Sequence, residues 1–282
     1  MRGIGSVWHG LQSPRGSVLA TLLPVLVVAA YFFVGYLAYN VRCLLRGVPR
    51  DFEKDARGRT ALVGFHMRYA FFWVVNPLWR LLQASGLSAN AVTATAAVLG
   101  VAAAGAAAFG HFGLAGWLFI FSGILDAMDG RLARARGEVT PAGAAIDSIL
   151  DRYTDALMLI GLGVYYRDSL VVLPVLLALL GSSLVPYVRA KSEAMGFPVR
   201  DGLMQRTERI VYLGTTVALS PVFEAIFFPN DPHPTHWLAV AGITFLAVAS
   251  NLTAVTRFVT LVNALTAAAA RPLYGRDKHR AA

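Results

Sequence analysis

Seven long apolar stretches constrain this chain more than any other feature. They fall at roughly 17–40, 90–110, 113–134, 141–165, 169–188, 208–228 and 236–262. A helix rises 1.5 Å per residue, so about 20 residues cross a hydrocarbon layer some 30 Å thick. Only 15% of the residues are charged, well under the roughly 25% usual in soluble domains. The expectation is an all-α integral membrane protein. A net charge of +9 raises the question of nucleic acid. The basic residues, however, alternate with apolar spans instead of forming one stripe, so no nucleic-acid partner is expected and membrane lipids are.

That alternation also sets a topology. Arg42, Arg46, Arg50, Lys54, Arg57 and Arg59 follow the first span, and the link around His111 has no basic residue. Arg131, Arg134 and Arg136 come next, then a lone Arg167, then Arg189, Lys191, Arg200, Arg206 and Arg209. "FFPNDPHPTH" has none, and the tail carries Arg271, Arg276, Lys278 and Arg280. Basic loops stay inside, which predicts a multi-pass protein with its C-terminus cytoplasmic and its N-terminus outside. The first span is too long for a signal h-region and reads as a retained anchor. Residues 41–63 read as a solvated linker. The aromatic, amphipathic "GFHMRYAFFWVVNPLWRLLQASG" reads as an interfacial helix, with a short buried helix as the alternative. The organisation is therefore 1–63 anchor and linker, 64–265 membrane domain, and 266–282 basic cytoplasmic tail. Cys43 is the single cysteine, which excludes an internal disulfide.

Four aspartates interrupt this apolar background. Asp126 and Asp129 are three apart, and Asp147 and Asp151 are four apart, so each pair shares one helix face. The link "RARGEVTP" is short and makes the two helices antiparallel neighbours, with Pro141 suited to open the second. Both pairs can then converge at one end of the bundle. Four carboxylates in poor solvent need a cation or protons to neutralise them. All-oxygen ligation suits Mg²⁺ or Mn²⁺. Gly130, Ala133 and Gly143 leave room for a ligand, and Arg134 stands beside it, an arrangement suited to a diphosphate. Helix caps, ion pairs with Arg131, Arg134 and Arg152, or a proton relay are the other readings of these residues.

The stretch reads Asp126-x2-Asp129-Gly130-x2-Ala133-Arg134-x8-Gly143-x3-Asp147-x3-Asp151. It resembles the signature of the CDP-alcohol phosphotransferase family at all eight fixed positions. Ordinary residue frequencies give such a match at about one start position in 10¹⁰. The resemblance implies a six-helix membrane bundle over about 65–265, with the first span as an additional N-terminal transmembrane helix. It implies transfer of a phospho-alcohol group from a CDP-linked donor to an acceptor hydroxyl, with CMP leaving. By position, Asp126, Asp129 and Asp147 would bind the divalent ions, two in number, that hold the diphosphate. Asp151 would be the base and a further metal ligand. Gly130, Ala133, Gly143 and Arg134 would line the CDP pocket. "LSANAVT" resembles the family's entry to its first core helix, which adds Asn90 and Thr93 to that pocket; Ser88 or Asn90 as a helix cap is the plain alternative.

Between the last two spans but one, "YVRAKSEAMGFPVRDGLMQRTERIVYLG" is similar to the Tyr-x-Arg-x-Arg and Arg-x-Glu-Arg segments of the phosphatidylinositol-phosphate synthase branch. That implies CDP-diacylglycerol as donor and inositol phosphate as acceptor, its phosphate held by Arg189, Lys191, Arg206 and Arg209. Lys191 and Thr207 depart from the branch pattern, and glycerol 3-phosphate, as in a phosphatidylglycerophosphate synthase, is the alternative acceptor. The plain reading of the four cations is headgroup contact. Glu193 and Glu208 are expected to pair with neighbouring arginines, Asp155 and Arg152 to form ion pairs that orient the site, and His233 and His236 to be ordinary loop histidines. Homodimers are common in the family, although no contact surface is legible. From another class, an ion-coupled transporter would show inverted repeats or broken half-helices. The acids here lie in one hairpin and no repeat occurs.

Overall fold

The computed structural model describes residues 14–47, 65–199, 204–229 and 234–269. Among them the chain forms nine helices: α1 (Pro14–Arg46), α2 (Phe65–Val74), α3 (Asn76–Ala84), α4 (Ala89–Ala108), α5 (Phe112–Arg136), α6 (Pro141–Tyr165), α7 (Val172–Ala194), α8 (Arg206–Phe227) and α9 (Trp237–Ala269). Six of these (α1, α4, α5, α7, α8 and α9) are long and apolar enough to cross a membrane. At 25 residues α6 is as long as α5, about 37 Å at 1.5 Å per residue. Asp147, Asp151, Arg152 and Asp155 lower its hydropathy.

Helices α4 to α9 close into a ring. The main packing neighbours run α4–α5–α8–α9–α7–α6 and back to α4. Small residues let the backbones approach. A Cβ on Gly161 would strike the Ala104 carbonyl, and one on Gly116 would strike the backbone of Ala218 and Gly214. This is the small-residue packing that apolar solvent favours, because lipid supplies no hydrophobic drive between helices. Phe112, Phe119, Met158, Leu162, Leu213, Ile243 and Leu246 fill the interior. Outward faces stay apolar, as at Leu176, Leu180, Val248 and Val255.

The anchor helix is longer at both ends than the 17–40 stretch suggests. Val41, Leu44 and Leu45 carry the helix on to Arg46, so the linker begins later. The rest of that linker, 48–64, lies outside the described residues, as do most of the C-terminal tail and His233. Helix α1 packs on α2 and α8. The segment read as one interfacial helix is two. Pro77 lacks an amide proton and cannot continue the ladder of α2, so the chain breaks at Val75. The Val74 carbonyl at the break accepts the Tyr31 hydroxyl of α1 at 2.6 Å. Leu82 of α3 is buried, and Leu78 and Trp79 pack with Met128 and Leu132 of α5.

Candidate active site

Ser88 caps α4, its hydroxyl accepting the Ala91 amide at 3.2 Å. Thr140 caps α6 in the same way, accepting the Gly143 amide at 3.0 Å, with Pro141 as the first helical residue. Gly137 ends α5 in the left-handed conformation at φ 70°, a conformation that suits glycine at this position. These caps fix the α5–α6 turn and bring the two aspartate stripes face to face.

One oxygen from each of Asp126, Asp129 and Asp147 lies within 4.8 Å of the other two. Two ligands on one divalent cation, each bonded at 2.0–2.6 Å, stand at most about 5 Å apart. Three carboxylates without nitrogen or sulfur suit a hard divalent cation, so the residues fit that group. Asp129 is buried, and its Oδ2 accepts the Thr93 hydroxyl from α4 at 2.6 Å. Thr93 thus fixes a ligand of the cluster. Asn90 lies one turn earlier on α4 and its Oδ1 stands across from Gly143, about 4.0 Å from where a Cβ would lie. Gly130 is open except for the Arg134 guanidinium, 3.5 Å from a notional Cβ. Ala133 is half-buried on α5, and its carbonyl accepts the Glu138 amide at the helix end.

Asp151 lies beside Asp126 but is not one of the three carboxylates that converge. Its Oδ1 is 2.9 Å from Arg206 Nη1, and it faces a cavity of about 530 Å³. The same guanidinium is bonded to Asp126, and its Nε lies 3.4 Å from Asp155 Oδ1. Arg209, almost fully buried, donates to Asp155 Oδ2 at 2.8 Å. Asp155 therefore ties α6 to the start of α8.

Arg152, Arg189, Arg206, Arg209 and Arg257 line the cavity with Ser148, Asp151 and Gln205. Arg257 is the residue that sequence reasoning missed. It is the one charged residue of α9, is buried, and donates to the Val185 carbonyl at 3.0 Å. A lone arginine inside an apolar helix is itself a signal, because ionisable groups there are costly. Lys191 is not among the cavity-lining residues; it is exposed, about 200° around α7 from Arg189. Arg152 bonds back to Ser148 Oγ at 2.6 Å instead of to a carboxylate. Glu193 pairs with Arg189 at 3.1 Å. Glu208 instead completes a capping box: its Oε2 accepts the Gln205 amide at 2.9 Å, and this fixes the first turn of α8.

The family model for CDP-alcohol phosphatidyltransferases matches residues 86–262. The phosphatidylinositol phosphate synthase of Mycobacterium tuberculosis H37Rv is 34% identical over 209 residues, covering 70% of this chain and 89% of that protein. The crystal structure of the M. tuberculosis phosphatidylinositol phosphate synthase in complex with manganese and citrate superposes with a TM-score of 0.57 at 30% identity, over 66% of this chain and 88% of that one. The same enzyme with CDP-DAG bound gives 0.56, over 66% and 92%. Sequence match, helix ring and aspartate geometry agree, and the chain belongs to the CDP-alcohol phosphatidyltransferase family.

Proposed function

We propose that the chain transfers the phosphatidyl group of CDP-diacylglycerol to a hydroxyl of inositol phosphate, releasing CMP. One observation carries the reading: a three-carboxylate cluster opens beside a cavity in which Asp151 meets a set of arginines. An arginine fork matches phosphate in geometry and charge, so such a lining favours a phosphorylated acceptor over a neutral one. The relatives in Mycobacterium support the same choice, since they are named phosphatidylinositol phosphate synthases and one of them has a structure with CDP-DAG bound.

In this reading Asp126, Asp129 and Asp147 hold the divalent ions, two of them and either Mg²⁺ or Mn²⁺, with Asp151 as a further ligand. When bound, the ions neutralise the donor's diphosphate and the charge that develops on departing CMP. Thr93 holds Asp129 in place. Asn90, Gly130, Ala133, Arg134 and Gly143 border the space for the cytidine and diphosphate. Arg189, Arg206, Arg209 and Arg257 orient the acceptor phosphate, and Lys191, exposed on another face of α7, lies outside that lining. Asp151 takes the proton of the acceptor hydroxyl as its oxygen bonds to the lipid-bearing phosphorus and the bond to CMP breaks. The clustered basic residues put this end of the bundle at the cytoplasmic face, where the polar acceptor is dissolved.

The test offers purified protein CDP-diacylglycerol and Mg²⁺ with inositol phosphate, glycerol 3-phosphate or serine in separate reactions. CMP release with a new phosphoinositide product is expected only with the first. A lipid product with glycerol 3-phosphate alone would reassign the acceptor, and none with any of the three would reject the transferase reading.

A further inference from the structure

Arg206 stands where the carboxylate cluster and the cavity meet. Its guanidinium engages Asp126 Oδ2, lies 2.9 Å from Asp151 Oδ1 and reaches Asp155 Oδ1 at 3.4 Å. The same side chain lines the cavity with Arg189, Arg209 and Arg257. Asp126 is also one of the three carboxylates that converge. A guanidinium and a divalent ion on one carboxylate repel each other, so each weakens the hold of the other. One arginine therefore pairs with the carboxylates and also borders the cavity that a phosphate would enter.

Nothing else need move for Arg206 to exchange them. Arg209 joins α8 to Asp155 independently at 2.8 Å, and the Glu208 capping box fixes the first turn. Swinging a side chain on a fixed helix requires only rotamer changes.

We propose that Arg206 is an exchangeable cation that couples the two halves of the site. An acceptor phosphate draws it off Asp126 and frees that carboxylate for a divalent ion; an ion on Asp126 in turn releases Arg206 toward the phosphate. The inference rests on the functional reading above, in which the aspartates hold divalent ions and the cavity takes a phosphorylated acceptor. Linkage makes the effect reciprocal: each ligand tightens the other by the same factor.

Mn²⁺ binding to the full-length chain, followed by electron paramagnetic resonance, tests this without turnover. Inositol phosphate or inorganic phosphate should tighten Mn²⁺ binding by about tenfold. Arg206→Met should tighten Mn²⁺ binding by itself and abolish the phosphate effect. If phosphate leaves the wild-type affinity unchanged, or tightens Mn²⁺ equally in Arg206→Met through direct contact with the ion, coupling through Arg206 is overturned. Should Arg206→Met fail to fold, a structure of the wild-type chain with Mn²⁺ and phosphate decides: Arg206 on the phosphate supports the exchange, and Arg206 still on Asp126 rejects it. Failure of the underlying reading looks different. Mn²⁺ binding that is indifferent to Asp129→Asn would remove the metal site itself, and the coupling with it.

Discussion

The two ends of α8 both bury charge, and they use it in opposite ways. At its start Arg206 and Arg209 pair directly with Asp126, Asp151 and Asp155 beside a cavity of about 530 Å³. At its far end Glu224 is also buried, but it is turned on the backbone: its Oε1 accepts the Trp237 amide at 2.7 Å and so caps α9. Ser220, one turn earlier, accepts the Ala239 amide at 3.3 Å. Tyr165 and Tyr166 donate to the Pro234 and Thr235 carbonyls at 3.3 and 2.9 Å, and His236 stacks on Phe112 with centroids 4.0 Å apart. One end is a set of charged side chains paired with one another beside a cavity. The other is a knot of side chains on main chain that fixes where a helix begins. Burial of charge alone does not distinguish chemistry from structure; an adjoining cavity lined by several ionised groups points to chemistry.

Breaking the open end should produce the largest effect. Asp151→Asn should lower CMP release by about 10²–10⁴-fold, the range for loss of a general base, with CDP binding retained; unchanged turnover would remove Asp151 from the chemistry. Arg257→Met should raise the KM for the phosphorylated acceptor about 10–100-fold and leave the donor KM alone, as expected for one lost charge-assisted contact of about 1.5–3 kcal/mol. An equal rise in both would make Arg257 a structural residue.

The closed end should respond in stability instead. Burial pushes the His236 imidazole down to about 4 from its ordinary 6.5, so the folded state prefers it neutral. Stability from this group is complete above pH 6.5 and is lost as pH falls toward 4. Between pH 7 and 5 the loss is about 2 kcal/mol. His236→Asn should flatten that part of the pH dependence in thermal unfolding, because asparagine tolerates the φ of 59° at this position. The smallest effect belongs to Glu224→Gln. The amide oxygen can still accept the Trp237 N–H, so the unfolding midpoint should move by under about 1 kcal/mol in stability and CMP release should stay within about twofold. A large loss of activity there would erase the contrast between the two ends.

The spans were legible because lipid leaves helices few alternatives: all seven stretches lie on long helices in the expected order, although α6, with its four charged residues, is not among the six that are apolar enough to cross a membrane. Boundaries were harder. Arg42 suggests an end to α1, yet the apolar residues around it keep the helix going to Arg46. Pro77 offered the signal that splits α2 from α3. The aspartates were read because their spacing is a local pattern. Thr93 came with the resemblance, but only the structure supplies its bond to Asp129. Arg257 was missed because it shares the cavity with Asp151 through winding of the chain and not through spacing. Glu208 was assigned to an arginine since adjacency in sequence is a poor guide to which of several donors a carboxylate reaches; here it took a main-chain amide.

The winding order of the ring has one more consequence. Helices α7 and α8 follow one another in the chain, but α9 stands between them in the bundle. Any ligand held jointly by Arg189 and Arg206 must therefore rest against a helix synthesised after both. Arg257 is about 30 Å along that helix from its beginning, so the cavity lacks one of its arginines until most of α9 has been laid down.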